Sequence, residues 1–259
     1  MLENRSFDNV FGSLKMNGIP YIDGINGTEY NVLADASHTM YDITIQIYGL
    51  INNVKGKTPD MSGFGLDAAL GTGQNLTLNQ SLSTTFGYHT NKTFPVITSL
   101  AKEFAIIDDW FSSVPGPTYP NRHFLHCATA LGRTDNDHDP QTGLPCKTVF
   151  DQLNEQRITW TAYNANSEGS TLFRYQSMQT SSNAAKIVPF QQFASDAKAG
   201  TLPKYSFIEP DLSKADYHPP SNSNGGEDFL RKVYNAVRSG PQWKNTLMLV
   251  TFDEHGILL

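Results

Sequence analysis

The feature that most constrains this chain is the run Thr246-Leu-Met-Leu-Val-Thr-Phe252, apolar at its centre with no polar alternation. A run of that kind marks a strand covered on both faces, as in parallel sheets whose crossover connections are helices. The segment before it agrees. Leu230, Val233, Tyr234 and Val237 recur at helical spacing within Glu227 to Arg238, which predicts an amphipathic helix. The same alternation runs upstream. Val96 and Leu100 give Phe94 to Glu103 helical spacing, and a short apolar run follows from Phe104 to Ile107. Thr148 to Gln156 reads as a helix, Ile158 to Tyr163 alternates as a strand, and Tyr205 to Ile208 reads as another strand. The expectation is an α/β fold with a mostly parallel central sheet and helices on both faces. Sites on such sheets lie beyond the carboxyl ends of the strands.

Two stretches break the pattern. Residues 50–93, rich in Gly, Asn, Thr and Ser, are expected to be a long surface excursion overhanging the site, and residues 212–226 a second loop. Residues 1–259 then form a single catalytic domain. The polar clusters at both extremes, Glu3-Asn4 and Asp253-Glu254, lead to the expectation that this domain is incomplete at its N- and C-terminal ends.

Charge narrows the function classes. With 19 Lys and Arg against 25 Asp and Glu the net charge is −6, and no basic run is present. Nucleic-acid binding is disfavoured, because it needs a basic stripe to displace counterions. No stretch reaches the ~18 consecutive apolar residues of a membrane span. The 2 cysteines, Cys127 and Cys146, are either separate buried thiols or one disulfide, and a disulfide belongs in an oxidising compartment. Asn26, Asn75, Asn79 and Asn91 each open an Asn-x-Ser/Thr sequon. Together these point to a glycosylated protein of the secretory pathway.

Four groups of residues can carry chemistry. Glu3 and Asn4 offer a carboxylate and an amide oxygen, hard donors suited to a divalent cation. In Ser112-Ser-Val-Pro-Gly-Pro-Thr118-Tyr-Pro-Asn-Arg122, a stiff turn leads into a helix expected from about Pro120 to Ala130. Thr118 is either that helix's N-cap or a nucleophile, and Arg122 either a phosphate clamp or a salt-bridge partner. Asp253 and Glu254 follow the apolar strand, where a turn lets both converge on a metal. Among the histidines, His38 and His218 lie in polar, loop-like contexts suited to donating to a phosphate or protonating a leaving group. His123 and His126 read as packing or surface residues on the helix, His138 as solvated though open to a ligand role, and His89 as lacking supporting neighbours.

Taken in order, the stretches Glu3 to Asp8, Asp109 to Arg122, Tyr205 to Pro210, His218 to Pro220 and Thr246 to Gly256 resemble the phosphoesterase family of non-specific phospholipases C and related acid phosphatases. That resemblance implies an alkaline-phosphatase-like fold with one divalent metal ion at the carboxyl edge of the sheet. It implies Glu3, Asn4, Thr118, Asp253 and Glu254 as metal-site residues, Thr118 as nucleophile, and His38 and His218 as phosphoryl contacts. The implied activity is metal-dependent hydrolysis of phospholipid phosphodiester bonds, with peripheral contact to a membrane surface. The alternatives are an acid phosphatase acting on small phosphate esters and an inactive, truncated product. Trp110, Phe111 and Tyr119 near the nucleophile favour a lipid substrate.

Overall fold

Along Trp160–Asn164 (β1), Trp160 and Ala162 pack on one face of a sheet and Tyr163 on the other, all three buried. The computed structural model describes residues 1–25, 37–49, 54–71, 87–137, 139–219 and 224–256. Ile187–Pro189 (β2) and Tyr205–Glu209 (β3) flank β1 in the order β2-β1-β3, both parallel to it, with Ala162 opposite Ile187 on one side and Phe207 on the other. Helices among the described residues are α1 (Phe7–Phe11), α2 (Met40–Tyr48), α3 (Phe64–Gly71), α4 (Pro95–Glu103), α5 (Thr118–Cys127), α6 (Val149–Glu155), α7 (Ser181–Ala184), α8 (Gln191–Ala199) and α9 (Asn224–Ser239). None is long and apolar enough to cross a membrane.

Both sheet faces are covered, as the apolar patterning predicts. Trp160, Ala162 and Phe207 pack with Phe150 of α6 and with Leu172, Tyr175 and Met178. Tyr163 packs on the other face with Phe193 of α8 and Phe229, Val233 and Val237 of α9. Phe150 is fully buried, so truncating it to Ala costs about 3–5 kcal/mol in lost transfer energy and cavity. Helix α6 begins where its sequence specifies. Thr148 accepts from the Asp151 amide at 3.2 Å, and Asp151 reciprocally accepts from the Thr148 amide at 2.8 Å, which satisfies two otherwise unpaired donors.

The apolar run at 246–252 departs from expectation. It is extended, but its only strand pairing among the described residues is a parallel bridge from Phe252 to Leu2. The Leu2 amide donates to Thr251 O at 2.8 Å and the Asp253 amide to Leu2 O at 3.1 Å. Met248 and Val250 turn inward onto helices, whereas Leu247 is 92% and Leu249 59% exposed. On that burial pattern the run is covered on one face, not two. Phe104 and Ile107 of the upstream apolar run are also exposed.

The two loop stretches carry more structure than expected. Within 50–93, α3 packs against α2 with Phe64 and Ala68 buried. Gly63 permits that approach, because a Cβ there would lie 1.7 Å from Ile45 O. Helix α9 starts at Asn224, inside the expected 212–226 loop, and Gly226 lies against the Tyr217 ring where a Cβ would approach to 2.4 Å. Cys127 and Cys146 form a disulfide with Cα atoms 5.9 Å apart. Asn91 is exposed in a turn; Asn26, Asn75 and Asn79 lie outside the described residues.

Candidate active site

The Leu2–Phe252 bridge fixes how the two ends of the described chain meet. Because the strands run parallel and in register there, Glu3-Asn4 and Asp253-Glu254 leave the same edge of the sheet side by side. Asn4 turns through a left-handed backbone conformation (φ 46°), which Asn adopts more readily than most residues. Its amide donates to Asp253 Oδ1 at 3.1 Å. The Glu3 amide donates to Asp216 O at 2.9 Å, bringing in the loop that carries His218. Gly256 closes the edge at φ 68°, where a Cβ would lie 2.3 Å from the Ser6 amide nitrogen.

Thr118 enters from the opposite side as the first residue of α5. The sequence placed this helix start two residues later, with Thr118 as its cap. Instead Pro117 occupies the cap position and makes no side-chain capping bond, so the Thr118 hydroxyl is not used up in capping. Oγ1 donates to Glu3 Oε2 at 3.3 Å. Asn121 holds the preceding turn, donating to Gly116 O at 3.0 Å and Pro117 O at 3.3 Å while accepting from the Val114 amide at 3.0 Å. The helix stops at Cys127, short of the expected Ala130, because Ala128 turns left-handed at φ 58°.

Arg122, one turn along α5, resolves its two readings as the salt-bridge partner. Its Nη2 is bonded to Glu3 Oε1, and its Nε donates to Asp253 Oδ2 at 3.2 Å. All three side chains are buried. Burial pushes the Glu3 carboxyl up, but the Arg122 guanidinium, a hydrogen bond with Asp253 and nearby His218 together hold it below the usual range. Asp253 goes the other way. Burial and repulsion from Glu3 raise it well above the usual range against the pull of Arg122. One cation shared by two buried carboxyls thus favours one charged and one protonated group, and an added cation favours ionising both.

The two histidines singled out in the sequence face each other across the same edge, ring centroids 6.4 Å apart. His218 Nδ1 lies 2.6 Å from Pro219 O. A carbonyl only accepts, so Nδ1 carries the proton and neutral His218 presents the lone pair of Nε2. His38 Nε2 lies 3.9 Å from Glu254 Oε1. Glu3, His218 and Glu254 each bring a ligand atom within 4.8 Å of the others. Two carboxylates and an imidazole nitrogen, with the Thr118 hydroxyl alongside, make a donor set suited to a divalent cation. Glu3, Asn4, Thr118, His38, His218, Asp253 and Glu254 thus converge. Within that set His218 stands among the donor atoms, whereas Asp253 faces Arg122 and the Asn4 amide.

Of the remaining histidines, His123 and His126 are buried and His89 is half-buried. His126 sits among Phe150, Tyr175 and Phe207, and burial with nearby Arg122 pushes it down to about 3. His123 bonds the Tyr175 hydroxyl at 3.1 Å. His89 has neighbours after all, stacked on Phe94 at 3.7 Å and 3.4 Å from Arg5 Nη1. Its backbone is held by Asn9 O, which accepts from the His89 amide at 2.7 Å, and by the Ser13 hydroxyl, which donates to His89 O at 2.9 Å. His138 lies outside the described residues. Sequence reasoning missed Gln46 and His255, which meet behind the site at 3.2 Å. Gln46 sits on a helix whose other buried positions are isoleucines. A polar residue on an apolar helix face was the signal available.

The sequence pattern of the phosphoesterase family matches residues 1–257. The chain belongs to this family. It is 34% identical to non-specific phospholipase C1 of Arabidopsis thaliana over 99% of its own length and 51% of that protein's. Non-specific phospholipase C6 of the same plant is 34% identical over 99% of this chain and 52% of its own. The non-hemolytic phospholipase C of Pseudomonas aeruginosa is 25% identical, over 98% of this chain and 41% of its own. This phosphoesterase-family chain spans about half the length of the Arabidopsis relatives it matches.

Proposed function

We propose that this phosphoesterase-family chain carries the active site of a metal-dependent phosphodiesterase of phospholipase C type, with Thr118 as nucleophile. The observation that carries the reading is the Thr118 hydroxyl donating to Glu3 Oε2 at 3.3 Å beside the Glu3–His218–Glu254 donor group. Glu3 Oε2 accepts the hydrogen bond from the Thr118 hydroxyl and so orients Oγ1 for attack on phosphorus. His38 is placed to donate to a phosphoryl oxygen or to the departing alkoxide. Arg122 keeps Glu3 and Asp253 in register without contacting substrate. Glu3, His218, Glu254 and Thr118 would hold the cation, which supplies charge neutralisation for phosphoryl transfer when bound.

A lipid is favoured over a small monoester by the ground beside the site. A groove of about 660 Å³ is lined by Ile107, Trp110, Phe111, Leu247 and Leu249 and reaches Glu254 and His255. Exposed apolar surface of this kind marks a site for an apolar partner. The Cys127–Cys146 disulfide and the exposed Asn91 sequon support a secretory-pathway location.

The test is hydrolysis of p-nitrophenylphosphorylcholine and p-nitrophenyl phosphate by the chain and its Thr118→Ala variant, with and without chelator. The reading requires diester turnover that chelator abolishes and Thr118→Ala reduces by at least about 10³-fold. Turnover that survives either treatment contradicts it.

A further inference from the structure

Behind the site, one buried amide joins three elements. Gln46 of α2 is 1% exposed. Its Nε2 donates to Ser37 O at 2.6 Å and to Asp67 Oδ2 of α3 at 2.7 Å, and its Oε1 faces His255 Nε2 at 3.2 Å. An amide oxygen only accepts, so His255 is the donor in that bond. Ser37 immediately precedes His38, and His255 immediately follows Glu254. Gln46 therefore ties the backbone beside His38 to the side chain beside Glu254, the two groups whose facing atoms lie 3.9 Å apart. The third bond, to Asp67, fixes the amide so that nitrogen and oxygen cannot exchange places. Asp67 is available because Gly63 lets α3 press onto α2.

We propose that Gln46 is a positioning residue that sets His38 against Glu254. The proposal rests on the active-site reading above, in which both groups serve phosphoryl transfer. Gln46 acts through His38 and the 253–255 turn and touches neither substrate nor metal. Shortening it by one methylene breaks its reach to Ser37 and His255, and a misplacement of ~1 Å at a reacting group costs on the order of 10²-fold in rate.

A double-mutant cycle tests this. Gln46→Asn should lower kcat for p-nitrophenylphosphorylcholine by about 10- to 100-fold with KM changed less than about 3-fold. In a His38→Ala background the same substitution should change kcat by less than about 2-fold, because the residue it acts through is gone. An equal loss in both backgrounds would show a merely structural role and overturn the proposal. If Gln46→Asn does not fold, Gln46→Glu serves in the same cycle, keeping the volume while removing the bonds donated to Ser37 O and to Asp67 Oδ2. A second arm needs no turnover. The imidazole ¹H–¹⁵N signals of His38 should move in the Gln46 variant relative to the parent, and unmoved signals would overturn the proposal. A parent without turnover contradicts the active-site reading, while this arm still decides the role of Gln46.

Discussion

Arg122 Nε donates to Asp253 Oδ2 at 3.2 Å while its Nη2 engages Glu3, so one buried guanidinium spans carboxylates that lie 250 positions apart in the chain. Removing one partner of a buried charge pair leaves the others uncompensated, at about 3–5 kcal/mol. Arg122→Met is expected to lower the unfolding midpoint accordingly. A saturating divalent cation should restore more stability to the variant than to the parent, because it supplies the missing positive charge. Thermal denaturation of both proteins with and without Mn²⁺ measures this.

Burial holds the rings of His126, His89 and His255 all below the ordinary value, and each should contribute acid sensitivity; His126 is the most deeply buried. Its folded-state value of about 3 lies below the ordinary 6.5, so the fold favours the neutral ring. The unfolded chain binds a proton below pH 6.5 and the folded chain does not. Stability is therefore full above 6.5 and falls with pH towards 3, by up to about 1.4 kcal/mol per unit. His126→Phe, which also removes two buried nitrogens without hydrogen-bond partners among the described residues, should flatten that part of the profile. Urea midpoints from pH 4 to 8 would check it.

The Cys127–Cys146 disulfide fastens the end of the helix that carries Thr118 and Arg122. Closing a loop of 19 residues' separation contributes about 3 kcal/mol through the unfolded state. Reduction should lower the unfolding midpoint by several degrees. Turnover well below both midpoints should be unchanged, because neither cysteine reaches the donor group. Melting curves and initial rates with and without dithiothreitol separate the two effects.

Phe111 is 79% and Trp110 56% exposed along the groove beside Glu254. Phe111→Ser with Trp110→Ser should reduce hydrolysis of phosphatidylcholine vesicles by about 10-fold or more, since each ring contributes roughly 1–3 kcal/mol of apolar burial. Hydrolysis of soluble p-nitrophenylphosphorylcholine should change little. Equal losses on both substrates would remove the groove from the lipid reading.

The candidate site was legible through the ordered set of short motifs that carries the family resemblance, since each motif alone was open to a structural role. Glu3-Asn4, Thr118 and Asp253-Glu254 each stand where a parallel sheet presents polar groups, and periodicity alone located β1, β3, α6 and α9. What periodicity could not give was pairing. The 246–252 run reads as a fully covered strand, yet Leu247 and Leu249 face outward, because an apolar run alone does not say which packing partners meet each face. Thr118 was equally ambiguous, since its hydroxyl caps α5 or faces Glu3 according to a helix start set by Pro117 and Asn121. The role of Gln46 could not be read for a related reason. Its partners Ser37, Asp67 and His255 come together only once α3 has packed on α2.

The most direct test of the account is to quench p-nitrophenylphosphorylcholine turnover in acid and map the covalent adduct by mass spectrometry. Attack by Thr118 Oγ1 expels p-nitrophenolate and leaves the choline ester in place, so the account requires a phosphorylcholine adduct on the peptide carrying Thr118, located at that residue and missing from Thr118→Ala. Steady turnover with no such adduct, or with the adduct on another residue, would contradict it.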